Sequence, residues 1–465
     1  MGRRLFGTDG VRGVANQELS PLLAFRLARA AGALVAGRRE GGRERPFVLV
    51  ASDTRVSSGM LDAAVTAGLT SVGVDAVRLG ILPTPGLSWL THHTGAAAGV
   101  MISASHNPVE DNGIKIFGPD GYKLSDDLER HLEDVVERME QGEDPLPRPT
   151  GRDVGRVRTE AGWADRYLEY LAERVPVDLS GMRLVLDCAN GAAHRLAPRL
   201  FAALGAEVRA IHTGDSGEDI NVSCGSTHPE VVAEEVRRFG ADAGLSFDGD
   251  ADRCIAADER GNVVDGDQLL TICALDRIRR GKLPGGAVAC TVYSNGGLRE
   301  ALRAAGGDVI VTPPGDRHVL EAMRTHGLVL GGEQSGHLIF LEHSRTGDGM
   351  LTGLMLLDVM RRQEEPLSHL AAQMRRLPQA LVNVRVARKE GVLDRAEVQE
   401  VIARAREALG DAGRVYVRPS GTEPLIRVMV EASDPALVDE WARRVVAALE
   451  HAGSEGVVAQ SVSGS

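Results

Sequence analysis

The chain has 465 residues, more than one hydrophobic core usually serves, so three or four domains are expected. Its 43% hydrophobic and 25% charged residues are the balance of a globular protein, and no apolar run approaches the roughly 20 residues of a membrane span. A formal net charge of −12 argues against nucleic acid or an acidic membrane as a general partner, so an anionic ligand would need local Arg and Lys clusters.

Aromatic residues are only 3%, so the cores must be built from Ala, Val and Leu. The five cysteines are odd in number and none is spaced C-x-x-C, which fits neither a disulfide framework nor a zinc ribbon. Reduced thiols in a cytoplasm are the expectation. The start, Met1-Gly-Arg-Arg-Leu-Phe-Gly7, has no apolar leader, and Phe6 stands where a myristoylation signal needs Ser or Thr.

Gly7-Thr-Asp-Gly-Val-Arg12-Gly13 is a Gly-rich loop with a cation; it is not G-x-G-x-x-G and follows no strand, so it is no dinucleotide fingerprint. A helix over Leu22–Val35 comes next, then a strand over Phe47–Ala51 and a helix over Ser58–Gly73. The strand Ala98–Ser103 ends in Ser103-Ala-Ser105-His106-Asn107-Pro108. Pro108 keeps its predecessor out of helical geometry, so these polar side chains sit on a turn at a strand's carboxyl end, where α/β folds bind ligands. Ser105 is a phosphoryl acceptor there if the phosphate is neutralised, although such residues also make plain polar turns. Lys115, in Asn112-Gly-Ile-Lys115, is a candidate to stabilise the group or relay a proton.

Gln141–Arg158 reads as a linker, followed by a helix over Trp163–Val175 and strands over Arg183–Asp187 and Ala243–Phe247. The second of these strands runs into Asp248-Gly-Asp250-Ala-Asp252-Arg253. Carboxylates at i, i+2 and i+4 project to one side of extended backbone and call for a cation, with oxygen donors suiting Mg²⁺ or Ca²⁺. An EF-hand fails because Arg253 stands where its loop needs Gly and strands flank it. Ala251, between the second and third carboxylates, is expected to be tolerated unless the position needs positive φ.

A shorter break spans Asp258–Gly266, then come a helix over Gly266–Arg280 and strands over Ala287–Thr291 and Asp308–Thr312. Thr312-Pro-Pro-Gly-Asp316-Arg317-His318 follows a strand and opens a helix, which suits an anion. Gly331-Gly-Glu333-Gln334-Ser335-Gly336-His337 lies between the apolar segments Leu328–Leu330 and Leu338–Leu341. Glu333 and Ser335 can bond vicinal hydroxyls, or the loop is a plain tight hairpin. After a helix over Gly349–Arg362 and a third break at Glu364–Pro378, the pattern changes to a strand, Ala380–Ala387, a helix near Glu397–Leu409, strands Arg414–Arg418 and Leu425–Ala432, and a helix Pro435–Glu450. Between those last strands lies Arg418-Pro-Ser420-Gly421-Thr422-Glu423-Pro424-Leu-Ile-Arg427. Two guanidiniums, two hydroxyls and the amides around Gly421 make an anion nest, the alternative being a turn pinned by Arg427 and Glu423. The tail Ser461–Ser465 is expected to be disordered.

These elements imply an α/β fold: three similar α/β domains with mixed, mainly parallel sheets and a C-terminal α+β domain. The boundaries expected are residues 1–150, 158–258, 259–370 and 378–452. The three α/β blocks share a rhythm but no residue-level repeat.

Together and in this order, the Gly7–Gly13, Ser103–Pro108, Asp248–Arg253, Gly332–His337 and Arg418–Pro424 motifs resemble the α-D-phosphohexomutase superfamily, over nearly the whole chain. The resemblance implies a heart-shaped molecule with one loop of each domain facing a central cleft. It implies that Ser105 carries a phosphoryl group and that Asp248, Asp250 and Asp252 hold one Mg²⁺ together with it. It assigns Arg12, His106, Lys115 and Arg253 to positions flanking the reacting group, and the sugar to Glu333 and Ser335, with His337 and Arg317 on neighbouring binding positions. It gives the phosphate to Arg418, Ser420, Gly421, Thr422 and Arg427. The Gly7–Gly13 loop and Gln334 resemble the amino-sugar branch, which implies reversible conversion of glucosamine 6-phosphate to glucosamine 1-phosphate through a 1,6-bisphosphate, as a supply to UDP-N-acetylglucosamine and cell-wall precursors. A glucosamine or glucose 1,6-bisphosphate is the implied intermediate or activator, and a mannose/glucose phosphate mutase is the alternative. Homodimerisation and a kinase that first phosphorylates Ser105 are left open. Two other classes read the same residues differently: a phosphatase with Asp248 as nucleophile, and a non-catalytic Ca²⁺-binding or sugar-phosphate-sensing module.

Overall fold

Apolar runs bounded by turn residues form the strands, and the sheets they build place the polar loops. The computed structural model describes residues 5–7, 9–36, 45–160, 162–386, 389, 391–419 and 425–454. It divides into two compact units, one of residues 1–291 with 305–373 and one of residues 292–304 with 374–465. The Ser461–Ser465 tail lies outside the described residues. Among the described residues no helix is long and apolar enough to cross a membrane.

The first unit carries three sheets. The first contains β1 (Val11–Val14), β2 (Phe47–Ser52), β3 (Asp75–Ile81), β4 (Ala98–Ile102), β5 (Asp111–Phe117) and β6 (Val157–Thr159), in spatial order β1-β5-β4-β2-β3-β6. Strands β2, β3, β4 and β6 are parallel, while β5 returns antiparallel to β4. The stretch that reads as a linker at Gln141–Arg158 therefore ends in a strand, and β6 completes this sheet. The second sheet contains β7 (Arg183–Asp187), β8 (Glu207–Ile211), β9 (Ala243–Phe247), β10 (Cys254–Asp258) and β11 (Val263–Val264), ordered β11-β10-β9-β7-β8. The break expected at Asp258–Gly266 is the β10–β11 turn, closed by Asn262 N and Asn262 Nδ2 donating to Asp258 at 2.8 and 2.9 Å. The third contains β12 (Ala287–Thr291), β13 (Asp308–Thr312), β14 (Leu330–Gly332) and β15 (Leu338–Phe340), ordered β13-β12-β14-β15.

These three sheets share one plan. Three parallel strands are ordered second, first, third, and an antiparallel fourth strand pairs with the third: β4–β5, β9–β10 and β14–β15. The Ser105, Asp248 and Glu333 loops are the three hairpin connections so formed. Val50, Leu61, Leu69 and Val100 fill the first core, and Val185, Val232 and Val236 one face of the second sheet. The aromatic-poor cores are indeed built mainly from Ala, Val and Leu.

The second unit is an antiparallel sheet of β16 (Gln379–Arg385), β17 (Gly413–Pro419) and β18 (Leu425–Ala432), ordered β16-β18-β17, with helices Ala396–Leu409 and Pro435–Ser454 packed on it. Helix Gly296–Ala304 belongs to this unit: its Gly296 N donates to buried Glu431 Oε2 at 3.0 Å, and Arg414 Nε donates to Glu431 Oε1 at 2.8 Å.

In the first unit, Asp348 caps helix Gly349–Gln363 by accepting from Leu351 N at 2.9 Å, and it accepts from the Tyr167 hydroxyl at 2.7 Å. Burial pushes its carboxyl up to about 6. A folded pKa above the unfolded value means that the folded state holds this proton more tightly between the two. The contribution of Asp348 is therefore most favourable near pH 4 and weakens as pH rises to about 6, by a few kcal/mol at roughly 1.4 per unit. Asp348→Asn keeps a cap acceptor and removes the buried charge. Melting of metal-stripped protein is expected to show this variant gaining on the wild type between pH 5 and pH 8; a relative loss over that range would contradict the assignment.

Candidate active site

Ser105 sits where β4 turns back towards β5. Its backbone takes φ 54°, a left-handed conformation that costs a residue with a Cβ about 1–2 kcal/mol. The side chain is buried at 1% exposure, and its Oγ donates to Asp248 Oδ2 at 2.5 Å. The β4–β5 register sets Lys115 opposite Met101, and its ammonium lies 2.8 Å from Asp250 Oδ2, 3.0 Å from Asp9 Oδ2 and 3.7 Å from Asp252 Oδ2. Burial would strip the Lys115 proton, but Asp250, Asp9 and Asp252 outweigh it and raise its pKa, so the ammonium stays charged. His106 Nδ1 is 3.3 Å from Ser105 Oγ. Burial, with Arg253 and Arg12 nearby, lowers the His106 pKa to about 3, so its imidazole is neutral at pH 7.

The Asp248–Arg253 loop continues straight from β9. Ligand oxygens of Asp248, Asp250 and Asp252 lie within 4.8 Å of one another, and all three residues are buried. Burial, with Asp252 and Asp250 beside it, pushes the Asp248 carboxyl well above the usual range. Burial would raise Asp250 too, but Lys115 outweighs it and holds that carboxyl below its usual range. Thr84 Oγ1 also donates to Asp250 Oδ2, at 2.6 Å. Asp250 Oδ1 and Asp252 Oδ1 are buried with no hydrogen-bond partner. Oxygen-only donors with orphaned lone pairs fit a hard divalent cation. Arg253 donates its backbone N–H to Asp248 Oδ1 at 3.1 Å, and its Nε stands 4.0 and 3.9 Å from Asp248 and Asp252. Ala251 has φ 55°, so the positive backbone angle on which its tolerance depends is present, and its methyl group is a source of strain.

The other expected residues fall into three groups. Arg12 reaches the Ser105 loop by donating from Nη1 to Asn107 Oδ1 at 3.0 Å, and it pairs with Asp9. His337 Nε2 accepts from Gly347 N at 3.1 Å and stands 3.9 Å from both Asp252 and Asp316. Glu333 Oε1 accepts from Gly315 N at 3.1 Å, and both Glu333 and Ser335 are half-buried on the β14–β15 turn. Arg317 is instead held by Asp126 and Glu129, with Nη2 donating to Glu129 at 2.7 Å. In the second unit Arg418 and Arg427 are direct cross-strand partners on β17 and β18. Arg418 Nε also donates to Tyr293 Oη at 2.8 Å. Ser420, Gly421 and Thr422 lie outside the described residues.

Asp9, Thr84, Arg55 and Asn221 were not evident as site residues. Asp9 was visible only as a carboxylate in a Gly-rich loop. Asp53-Thr54-Arg55 follows the buried strand β2, the same signal that marked Ser105.

Family models for phosphoglucomutase/phosphomannomutase match the chain in order: α/β/α domain I at residues 3–143, domain II at 165–261, domain III at 265–377 and the C-terminal domain at 381–448. The chain is similar to a phosphoglucosamine mutase of Moorella thermoacetica, 56% identical over 93% of this chain and 96% of that protein. Among solved structures, a phosphoglucomutase/phosphomannomutase family protein of Burkholderia thailandensis aligns with a TM-score of 0.80 at 27% identity, covering 97% of each chain. N-acetylphosphoglucosamine mutase of Aspergillus fumigatus, solved with GlcNAc-6P and magnesium, shares the fold with a TM-score of 0.65 at 20% identity over 97% of this chain and 96% of that one.

The strain at Ala251 is open to direct measurement. Ala251→Gly is expected to leave metal-free protein about 1 kcal/mol more stable, and Ala251→Val to cost about 2 kcal/mol, because left-handed backbone penalises a Cβ and penalises branching more. Denaturant unfolding checks the ordering; a Val variant as stable as the wild type would contradict it.

Proposed function

Because this chain belongs to the phosphoglucomutase/phosphomannomutase family, we propose that it interconverts glucosamine 6-phosphate and glucosamine 1-phosphate with Ser105 as the phosphoryl carrier. It is an intramolecular phosphotransferase, and relatives near half-identity over almost their whole length bear that activity in their names. The observation that carries the reading is Ser105 itself: a buried serine in a left-handed turn, with its Oγ 2.5 Å from one of three clustered carboxylates.

In the forward direction the P–Oγ bond of phosphorylated Ser105 breaks, a P–O1 bond forms on the 6-phosphate, and a 1,6-bisphosphate results. The sugar hydroxyl gives up a proton and Oγ gains one. After the bisphosphate reorients, its 6-phosphoryl group returns to Oγ and leaves the 1-phosphate. In that second step the P–O6 bond breaks as the P–Oγ bond forms, the serine hydroxyl gives up its proton and O6 gains one, with His106 standing 3.3 Å from Oγ beside the reacting hydroxyl. Lys115, Arg12 and Arg253 set positive charge around the transferring group. Asp248, Asp250 and Asp252 would hold Mg²⁺, which supplies charge compensation to a phosphoryl group on Ser105 when bound. Glu333 and Ser335, with His337, are assigned to the sugar hydroxyls. Arg418, Ser420, Gly421, Thr422 and Arg427 are assigned to phosphate, with the Arg418 and Arg427 forks on facing strand positions. Arg317 belongs to this binding set only if it leaves Asp126 and Glu129.

Dephosphorylated protein must be charged before the first cycle, by a sugar 1,6-bisphosphate or a kinase. All five cysteines are buried and in no disulfide, in keeping with a reducing, cytoplasmic setting. The four matched segments are proposed to be the four domains.

Intact mass and peptide mapping are expected to place phosphate on Ser105 and to find none in Ser105→Ala, with turnover lost. Acid-labile phosphate on Asp248 would contradict the mutase and favour a phosphatase. Comparing kcat/KM for the 6-phosphates of glucosamine, glucose and mannose is expected to favour glucosamine; equal values would contradict the amino-sugar assignment.

A further inference from the structure

Arg55 is almost wholly buried, at 2% exposure, yet it touches no reacting group. Its Nε donates to Asp53 Oδ2 at 3.0 Å. Its Nη1 donates to Asp111 O at 2.9 Å and to Pro108 O, and its Nη2 to Ser105 O at 3.0 Å and Asn107 O at 2.7 Å. Every guanidinium N–H is thus used, three of them on backbone carbonyls of the Ser105 turn and one on that of Asp111, where β5 begins. Carbonyl oxygens drawn towards one point repel one another, so this turn closes only around a donor with several N–H groups in a fixed fork.

Asn221, from the segment between β8 and helix Pro229–Phe239, meets two of the same carbonyls. Its Nδ2 donates to Ser105 O at 2.9 Å and to Asn107 O at 3.2 Å. The Asp248 loop packs against the same point: a Cβ added at Gly249 would lie 2.5 Å from Ser105 O and 3.0 Å from Asn221 Nδ2. Ser105 N in turn donates to Ser103 Oγ at 2.9 Å, and Ser103 Oγ donates to Asp53 Oδ2 at 2.6 Å. Asp53 also accepts from Arg55 N and Ser58 Oγ, so one buried carboxylate ties the two halves of the clamp together.

We propose that Arg55 and Asn221 are positioning residues, whose converging N–H groups on the Ser105 carbonyl hold that residue left-handed and so aim its Oγ for phosphoryl transfer. The inference rests on Ser105 being the phosphoryl carrier. Without the clamp, Ser105 relaxes to an ordinary backbone angle and Oγ swings away from Asp248, while the residues that bind sugar are untouched.

The test charges dephosphorylated protein with glucose 1,6-bisphosphate and follows phosphate on Ser105 by intact mass, beside kcat, KM and melting temperature. Asn221→Ala is expected to slow phosphoryl uptake and kcat at least tenfold, with KM for glucosamine 6-phosphate within twofold of wild type. Arg55→Lys, which keeps the charge for Asp53 but not the fork, is expected to lose at least a hundredfold in both rates. A merely structural role would lower the melting temperature and leave the rate per folded molecule unchanged, and that result overturns the inference. Should Arg55→Lys fail to fold, Asn221→Ala decides alone: uptake at the wild-type rate rejects the clamp. A wild type that never takes phosphate on Ser105 rejects the carrier reading, and the clamp with it.

Discussion

Three buried carboxylates within 4.8 Å of one another are the constraint on which the rest of the site depends. Burying one unpaired carboxylate is costly, and burying three together is tolerated only if charge or protons compensate. Lys115 answers Asp250, the Ser105 hydroxyl answers Asp248, and Arg253 stands near Asp248 and Asp252. Lys115 is in turn shared with Asp9, which also pairs with Arg12 and Lys123. Two oxygens nonetheless remain unbonded, Asp250 Oδ1 and Asp252 Oδ1, so the protein side chains leave donors spare for a cation.

The repeated sheet plan explains how these groups meet. A third parallel strand followed by an antiparallel fourth ends in a hairpin whose tip projects from the strand's carboxyl edge. Three copies of this plan put Ser105, the Asp248 loop and Glu333 on equivalent tips. The repeat is one of topology, since the cores of the first and second sheets use different residues at different spacings. A loop can therefore change its chemistry from hydroxyl to carboxylate to sugar-binding polar group while the sheet beneath it stays the same.

Strands such as Arg183–Asp187, Ala243–Phe247, Ala287–Thr291 and Asp308–Thr312 were legible because each is a short apolar run closed by turn residues. Strand Asp111–Phe117 was not, because it opens on Asp-Asn-Gly, which reads as a turn; its pairing with β4 decides the matter. Strand Leu330–Gly332 was hidden by its paired glycines, which the sheet needs because a Cβ on Gly331 would meet Met323 Sδ at 2.7 Å. At the site, Ser105 and the three aspartates were legible from types and spacing. Arg55 and Asn221 were not: their partners are backbone carbonyls 50 and 116 residues away, and a carbonyl has no letter in a sequence. The need for a left-handed Ala251 was likewise a conditional that only the backbone angle could resolve.

The central claim is that the phosphoryl group on Ser105 is the one the sugar receives. Single turnover of protein labelled with radioactive phosphate on Ser105, mixed with excess glucosamine 6-phosphate, tests it most directly. The account predicts that label appears first in the 1,6-bisphosphate at O1 and then in glucosamine 1-phosphate. Label released as inorganic phosphate, or retained on the protein while product forms, would contradict it.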